Sequence, residues 1–514
     1  MSTVRVVAVP AGHPRGSATV WVIGATILTL TLTVQPLSDS TAWWHLALGR
    51  LITAHGLPSQ EPFSFLSAAH AWTGQGWLFA VLLAGLVGAG GAGLASMVTG
   101  VAASAGLGLG AAATSRASRV AGPWFAVAMI VSAVVASPWI GVDGAAISML
   151  GVGVVLVAVA RWRDGQTGLL WALPPLFLVW ANLDGGFILG LVVALLAVLT
   201  TVIADRGETS ARAPLLALAA AAIASCVNPE GLGVYASALS TAIDPAIAQL
   251  STAWASPDFH TTLLRLFEVE AAMLVVCWIA AGPPDPADAV VGTALIALAL
   301  WSAQFIPFFA VVATPQLARY SSRAWTLHLA SRVPVLRGGE RIARWRPVAT
   351  VALALAGLVA VAVVVPKHVT AQASAAYESS HYPKSAADYV AATYGTPRLY
   401  STAPWADYLA YRFPSSRSVF LYDNGGAFGD GAVAAYSRVH LLEDGWENEL
   451  DAQAIHHAIV GDASVEASAL HELGWVVDCH DAAAAAVVMS SPAPGAPSSA
   501  AAPLAVPPAS ARAC

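Results

Sequence analysis

The sequence predicts an all-α polytopic membrane domain of about eleven transmembrane helices, followed by a C-terminal extracytoplasmic α/β domain. Three observations predict it. Hydrophobic residues make up 57% of the 514 and charged residues only 11%, with a mean hydropathy of +0.67; soluble domains carry about 25% charge. Apolar runs approaching the ~20 residues of a membrane helix recur from residue 17 to residue 366. From 367 to 490 they give way to short alternating strand and helix patterns. The net charge of −6 offers no basic surface for nucleic acid.

The elements follow in order. Arg5 and Arg15 precede the first apolar run, about 17–36, which has no small-residue cleavage site before Asp39 and reads as an uncleaved signal anchor. The outer loop 37–75 comes next. Within it, Trp43, Trp44, Leu48, Leu51 and Ile52, with Arg50 and His55 among them, predict a helix lying flat in the membrane interface, aromatic side down. Gly56 and Pro58 end it, and Glu61 then precedes Pro62-Phe63-Ser64. Residues 76–113 are too long for one span and rich in glycine. They read as a half-inserted helix after Trp77 and then one crossing. Further spans are expected near 122–141, 143–160, 167–183, 187–204, 213–228, 268–282, 287–302, 303–318 and 348–366. Lys and Arg collect at Met1–Gly16, Arg116/Arg119, Arg161/Arg163, Arg206/Arg212 and Arg319–Arg346. Placing these inside puts the N-terminus in the cytoplasm and the C-terminal domain outside a plasma membrane. The second long outer loop, 229–267, is expected to fold over the Asp39 loop and roof a cavity. The sequence shows no internal repeat of the kind that builds transporters from inverted halves.

The membrane domain thus runs 1–366 and the α/β domain 367–490. In the latter the expected helices are Ser385–Tyr394, Pro404–Arg412, Ala432–Leu442 and Glu447–Ala454. The expected strands are Arg398–Thr402, Ser418–Tyr422, His457–Val460, Trp475–Cys479 and Ala485–Met489, the last two joined at His480-Asp481 as a hairpin. Residues 491–514 are Ala, Pro and Ser and read as a disordered tail. Cys226 and Cys277 read as packing residues in apolar spans. Cys479 and Cys514 are not expected to pair, because Cys514 lies on that tail.

The polar residues of the outer turns carry the chemistry, since ionisable groups at membrane depth are costly and tend to mark function. Asp39 and Glu61 are the catalytic candidates, because a carboxylate held at the membrane surface suits an enzyme acting on a lipid-linked sugar. Arg50 and Arg265 are the nearest outer cations for a lipid phosphate, the guanidinium fork being suited to it. His45, Asp184, Asp258 and His260 complete the binding candidates. A divalent cation is possible, although no metal-ligand spacing is present. Plainer roles stand beside these: Asp39 as the cap of the following helix, Trp43-Trp44-His45 as interfacial anchors, Arg265 as a headgroup contact, and His456-His457 as structural.

At Asp39, Trp43-Trp44-His45-Leu46, Gly49, Gly56, Pro58, Pro62-Phe63-Ser64, Trp72 and Trp77-Leu78, the chain resembles a large group of bacterial polytopic proteins that look like C-type (GT-C) membrane glycosyltransferases. The resemblance continues at Trp180-Ala181-Asn182 with Gly185-Gly186, Asn228-Pro229-Glu230-Gly231, Trp254 to Phe259 and Phe305-Ile306-Pro307. In the C-terminal domain it continues at Trp405, Tyr408-Leu409, Val419-Phe420, Asp423 and Gly474-Trp475. It implies transfer of a sugar from a polyprenyl-phosphate carrier to an extracytoplasmic glycan or protein acceptor, among membrane lipids. In the superfamily an acid of the first outer loop is the catalytic base or a metal ligand, and Asp39 holds that position. Ser137, Asp184 and Gln304 depart from the group pattern, standing where arginine, histidine and arginine are common. Fewer cations favour the rival reading, a non-catalytic scaffold or lipid-binding protein on the same fold; a transporter is the third.

Overall fold

The computed structural model describes residues 16–66, 72–114, 120, 122–243, 253–329, 339–424, 428–492 and 512–514. The basic segments before Gly16 and around Arg116/Arg119, and the tail 493–511, lie outside the described residues. The chain is a multi-pass membrane protein. Among the described residues five helical stretches are long and apolar enough to cross a bilayer: Trp77–Ala112, Gly122–Trp139, Gly144–Arg163, Phe187–Ala204 and Val348–Val369. Shorter apolar helices run Ala18–Thr33, Gly168–Leu183, Arg212–Ala224 and Pro286–Trp301.

The helices that position the site are α1 (Gly16–Thr33), α2 (Thr41–His55), α3 (Trp77–Ala112), α4 (Gly122–Ala136), α5 (Gly144–Arg163), α6 (Leu173–Leu183) and α7 (Phe187–Ala204). At 36 residues, α3 is longer than one bilayer crossing needs, and it breaks where the glycines predict. Gly91 takes φ 73°, ψ −176°, a conformation closed to side chains, so residues 77–89 and 92–112 are separate helical segments. Helix α2 seats against α3 at Gly49, where a Cβ would collide with the Ala80 backbone. The helix Ile306–His328 runs through the centre, with its residues from Ile306 to Ala318 buried, because five neighbouring helices pack around it.

The C-terminal domain holds a four-stranded mixed sheet of order β1-β2-β4-β3: β1 (Leu399–Tyr400), β2 (His457–Gly461), β3 (Val476–Asp481) and β4 (Ala486–Ser490). β1 and β2 are parallel and the rest antiparallel. The β3–β4 hairpin forms, but it turns after Asp481 rather than at His480-Asp481. The Asp481 carboxylate is occupied within the fold, accepting from the backbone N–H groups of Ser385 at 2.9 Å and Ala386 at 3.2 Å. Two helices were not foreseen, Ala371–His381 and Val465–Glu472. The stretch 418–422 is no strand. Only Val419 bridges, to Leu399 and to Ser64 of the loop between α1 and α3.

That last contact corrects the reading of the first loop. Helix α2 does not lie aromatic side down in the interface. Trp43 and Trp44 are 6% and 5% exposed, and Trp43 packs against Tyr382, Tyr408 and Tyr411 of the C-terminal domain with ring centroids 5.0–5.3 Å apart. Aromatic pairs of this geometry add about 0.5–1.5 kcal/mol each beyond area burial. The tail is corrected too. Cys514 is disulfide-bonded to Cys479, and residues 512–514 lie along β3, His480 donating to Arg512 O at 2.8 Å and Cys514 N–H donating to His480 O at 3.1 Å.

Candidate functional site

A cavity of about 810 Å³ opens between one set of helix ends and the C-terminal domain. Its membrane-side wall comprises Ser38–Thr41, Trp44, His45, Gln75, Gly76, the 138–145 turn and Leu183–Gly185. Ala253, Trp254 and Gln304 close one side. Gln304 N–H donates to Ala253 O at 2.8 Å, which joins the segment at Ala253 to this rim. The C-terminal domain contributes Tyr377, His381, Tyr382, Thr402, Trp405, Asp423, Asn424 and His440.

Asp39 stands at the start of α2. Its Oδ1 accepts from the Thr41 backbone N–H at 2.8 Å and from the Thr41 hydroxyl at 2.6 Å. The turn is thereby tied down one residue ahead of Ser40, the N-cap position, whose side chain makes no cap bond to the helix, and the Asp39 side chain still lines the cavity. Gly141 lets the 138–145 turn approach it; a side chain there would strike Asp39. Asp143, at the N-terminal end of α5, caps that helix by accepting from Ala146 N–H at 3.1 Å. Its carboxyl lies within hydrogen-bonding reach of Asp39. Burial first, and then the neighbouring Asp39 charge, holds Asp143 well above the ordinary carboxyl range.

Asp184 joins three helices from its place at the end of α6. It accepts from the Ser148 hydroxyl at 2.5 Å and from Gly186 N–H at 2.8 Å. Burial raises its pKa, against the pull of those donors. His45 donates from Nδ1 to Thr41 O at 2.8 Å, because a carbonyl can only accept. Burial lowers its pKa to about 4, so the ring is neutral at pH 7. In that tautomer Nε2 is an acceptor on the side of Gly76.

The structure brings Asp39, His45 and Asp184 together and leaves the other candidates outside. Glu61 is fully buried beneath the loop, accepting from Phe63 and Ser64 N–H at 2.9 and 2.8 Å and from the Tyr422 hydroxyl at 2.7 Å. Arg50 lies over the Tyr411 ring, 5.0 Å from its centroid. Arg265 is exposed and donates to Phe259 O at 3.0 Å. Asp258 and His260 are exposed and bond each other at 2.8 Å. None of these five lines the cavity. Asp423 and His440, which also line the cavity, were not among the candidates, and Asp143 stood among the polar turn residues without an assigned role. Asp143 had a signal, an acid in the short turn between two expected spans. Among the described residues no Lys or Arg lines the cavity, and no three His, Cys, Asp or Glu side chains converge as metal ligands.

No family model matches the chain, and no curated protein matches it. Among solved structures it superposes on ArnT from Cupriavidus metallidurans bound to undecaprenyl phosphate. The identity is 16%, 94% of this chain and 99% of that one are covered, and the TM-score is 0.49.

Proposed function

We propose that this chain is a membrane glycosyltransferase that moves a sugar from a polyprenyl-phosphate carrier to an extracytoplasmic acceptor, with Asp39 as general base. The observation that carries the reading is the Asp39–Asp143 pair at the floor of a cavity between apolar helices and the C-terminal domain. The lipid tail would lie between spans and its phosphate at the outer rim. Asp39 takes the proton of the acceptor hydroxyl, whose oxygen attacks the anomeric carbon. The bond from that carbon to the phosphate oxygen breaks, and the electron pair leaves with the lipid phosphate. Asp143 holds Asp39 by a hydrogen bond, and neutral His45 offers Nε2 as an acceptor toward a hydroxyl group. The convergence needed for a divalent cation is lacking among the described residues, so no step is routed through one.

The same reading carries about eleven crossings, a cytoplasmic N-terminus and an outward C-terminal domain in the plasma membrane. The Cys479–Cys514 disulfide supports the outward placement, since such bonds persist in oxidising compartments. A second reading, a non-catalytic lipid-binding or scaffold protein, is favoured by one observation: no Lys or Arg among the described residues lines the cavity to meet a phosphate. Cavity position alone does not separate the two readings for Asp184, and Glu61, Arg50, Arg265, Asp258 and His260 can act only from outside the cavity as it stands. The deciding experiment is Asp39→Asn, assayed for lipid-dependent sugar transfer in membranes beside solubilised yield. Lost transfer at normal yield supports catalysis, and full transfer leaves Asp39 as a tie for the turn before α2.

A further inference from the structure

Asp407 lies within the C-terminal domain on the helix Ala403–Arg412, is completely buried, and does not line the cavity. Its two oxygens reach two different walls of that cavity. Oδ2 accepts from the hydroxyl of Ser40 at 2.5 Å. Ser40 is the residue after Asp39 and the N-cap position of α2. Oδ1 accepts from the backbone N–H of Asp423 at 2.8 Å, and Asp423 and Asn424 form part of the facing wall. One carboxyl group therefore bridges the segment that carries Asp39 and the domain that faces it. Beside it, Tyr382 of the same domain donates to Leu37 O at 3.3 Å, on the other flank of Asp39.

Stability alone does not account for an acid here. A buried carboxyl is costly to desolvate, and a well-packed apolar side chain would hold the interface as firmly. What an apolar residue lacks is direction: two oxygens in fixed geometry set the distance and angle between two backbone segments. Trp43 and its tyrosine cage supply adhesion, and Asp407 supplies register.

We propose that Asp407 is a positioning residue that, through Ser40, fixes the backbone carrying Asp39 and so couples the C-terminal domain to the carboxyl pair in the cavity. This rests on the reading of Asp39 as the base. The test uses the full chain in detergent micelles. Carboxyls are labelled with a water-soluble carbodiimide and glycine ethyl ester across a pH series, and Asp39 and Glu466 are read by peptide mass spectrometry beside the melting temperature. Ser40→Ala removes one hydroxyl and should raise the Asp39 labelling rate at least threefold and shift its pH profile, with Glu466 and melting unchanged. Ser40→Thr restores a hydroxyl and should restore the original profile. Asp407→Ala should match Ser40→Ala, and the double variant should add nothing. If Asp407→Ala fails to fold, the Ser40 pair decides. Unchanged Asp39 labelling in Ser40→Ala overturns the proposal. So does a rise shared equally by Asp39 and Glu466, because that is general loosening. If Asp39 labelling shifts while sugar transfer is untouched, the coupling stands and the base assignment is what fails.

Discussion

Helix α5 connects two electrostatic settings that could hardly differ more. At one end Asp143 faces Asp39 in the cavity, with Asp184 nearby, and no Lys or Arg among the described lining residues. At the other end Arg163 pairs with Asp285. Next to that pair, Asp288 receives Arg319 at 2.5 Å and the Tyr320 hydroxyl at 2.8 Å, and the Tyr320 oxygen accepts from Asp285 N–H at 2.9 Å. Every carboxylate there has a cation or a hydroxyl, which is how a fold holds charge near a membrane. In the cavity Asp39 and Asp184 have hydroxyl and backbone donors and Asp143 a backbone donor, but no cation among the described lining residues meets them. Such an arrangement costs stability and perturbs protonation, and it is the kind of site where function is found. The lesson is to read the partner of an acid before the acid itself.

The comparison breaks most sharply at Asp39. Asp39→Asn keeps the acceptor oxygen that ties down Thr41, so yield and melting should hold, while proton abstraction is lost. Transfer should fall by about 10²–10⁴, measured in membranes with a lipid-linked sugar donor. Undiminished transfer would place Asp39 with the structural acids at the far end of the bundle. That far end should respond in the opposite sense. Asp288→Ala leaves Arg319 partly buried without its partner and should cost about 3–5 kcal/mol of stability, seen as a lowered melting temperature or solubilised yield. Transfer per folded molecule should stay near normal. A large loss of transfer at full stability would erase the distinction between the two ends.

Protonation adds a second contrast, between the cavity and the C-terminal domain. The folded pKa of Asp143 lies above its ordinary 3.8 because of burial and the Asp39 charge. The folded state therefore binds its proton more tightly than the unfolded chain. Stability from this group is fully present below pH 3.8 and is lost as pH rises through the folded value. Asp143→Asn removes the titration, so melting followed across that window should fall less steeply than in the parent protein. Parallel slopes would mean that Asp143 is not the proton holder of the pair. Glu466 runs the other way. Its hydrogen bond with His440 lowers its pKa, so its contribution is present above about pH 4.5 and is lost as pH falls.

Much of this was legible in the sequence, for physical reasons. Hydropathy marks apolar spans directly, and the glycine run announced the break in α3 because only glycine takes the conformation at Gly91. Asp39 was legible as an acid beside an aromatic helix. What that helix packs against was not. A tryptophan pair reads the same whether it meets lipid headgroups or a tyrosine cage more than 300 residues away, and tertiary contact chose the cage. Glu61 looked catalytic for the same reason, an acid beside proline in an outer loop, yet its oxygens satisfy backbone and Tyr422 donors. The Cys479–Cys514 bond was missed because composition describes the tail and says nothing of where its end returns.

The smallest effect sharpens the comparison from the cavity side. Gln304 stands on the rim, half-buried. If lack of a cation defines this end of the molecule, Gln304→Arg should begin to convert it into the paired kind. A guanidinium there would face an incoming phosphate with two parallel donors. The site is partly solvated, so the gain is limited to about 1 kcal/mol, roughly fivefold in affinity. The measurement is binding of undecaprenyl phosphate in mixed micelles at low and high salt. The parent protein should bind weakly with little salt dependence. The variant should bind more tightly at low salt and lose the advantage as screening rises. Tight, salt-sensitive binding by the parent protein, unaffected by the change, would mean that a cation outside the cavity lining already serves the phosphate. Arg265 and Arg50 would then return as the residues to replace.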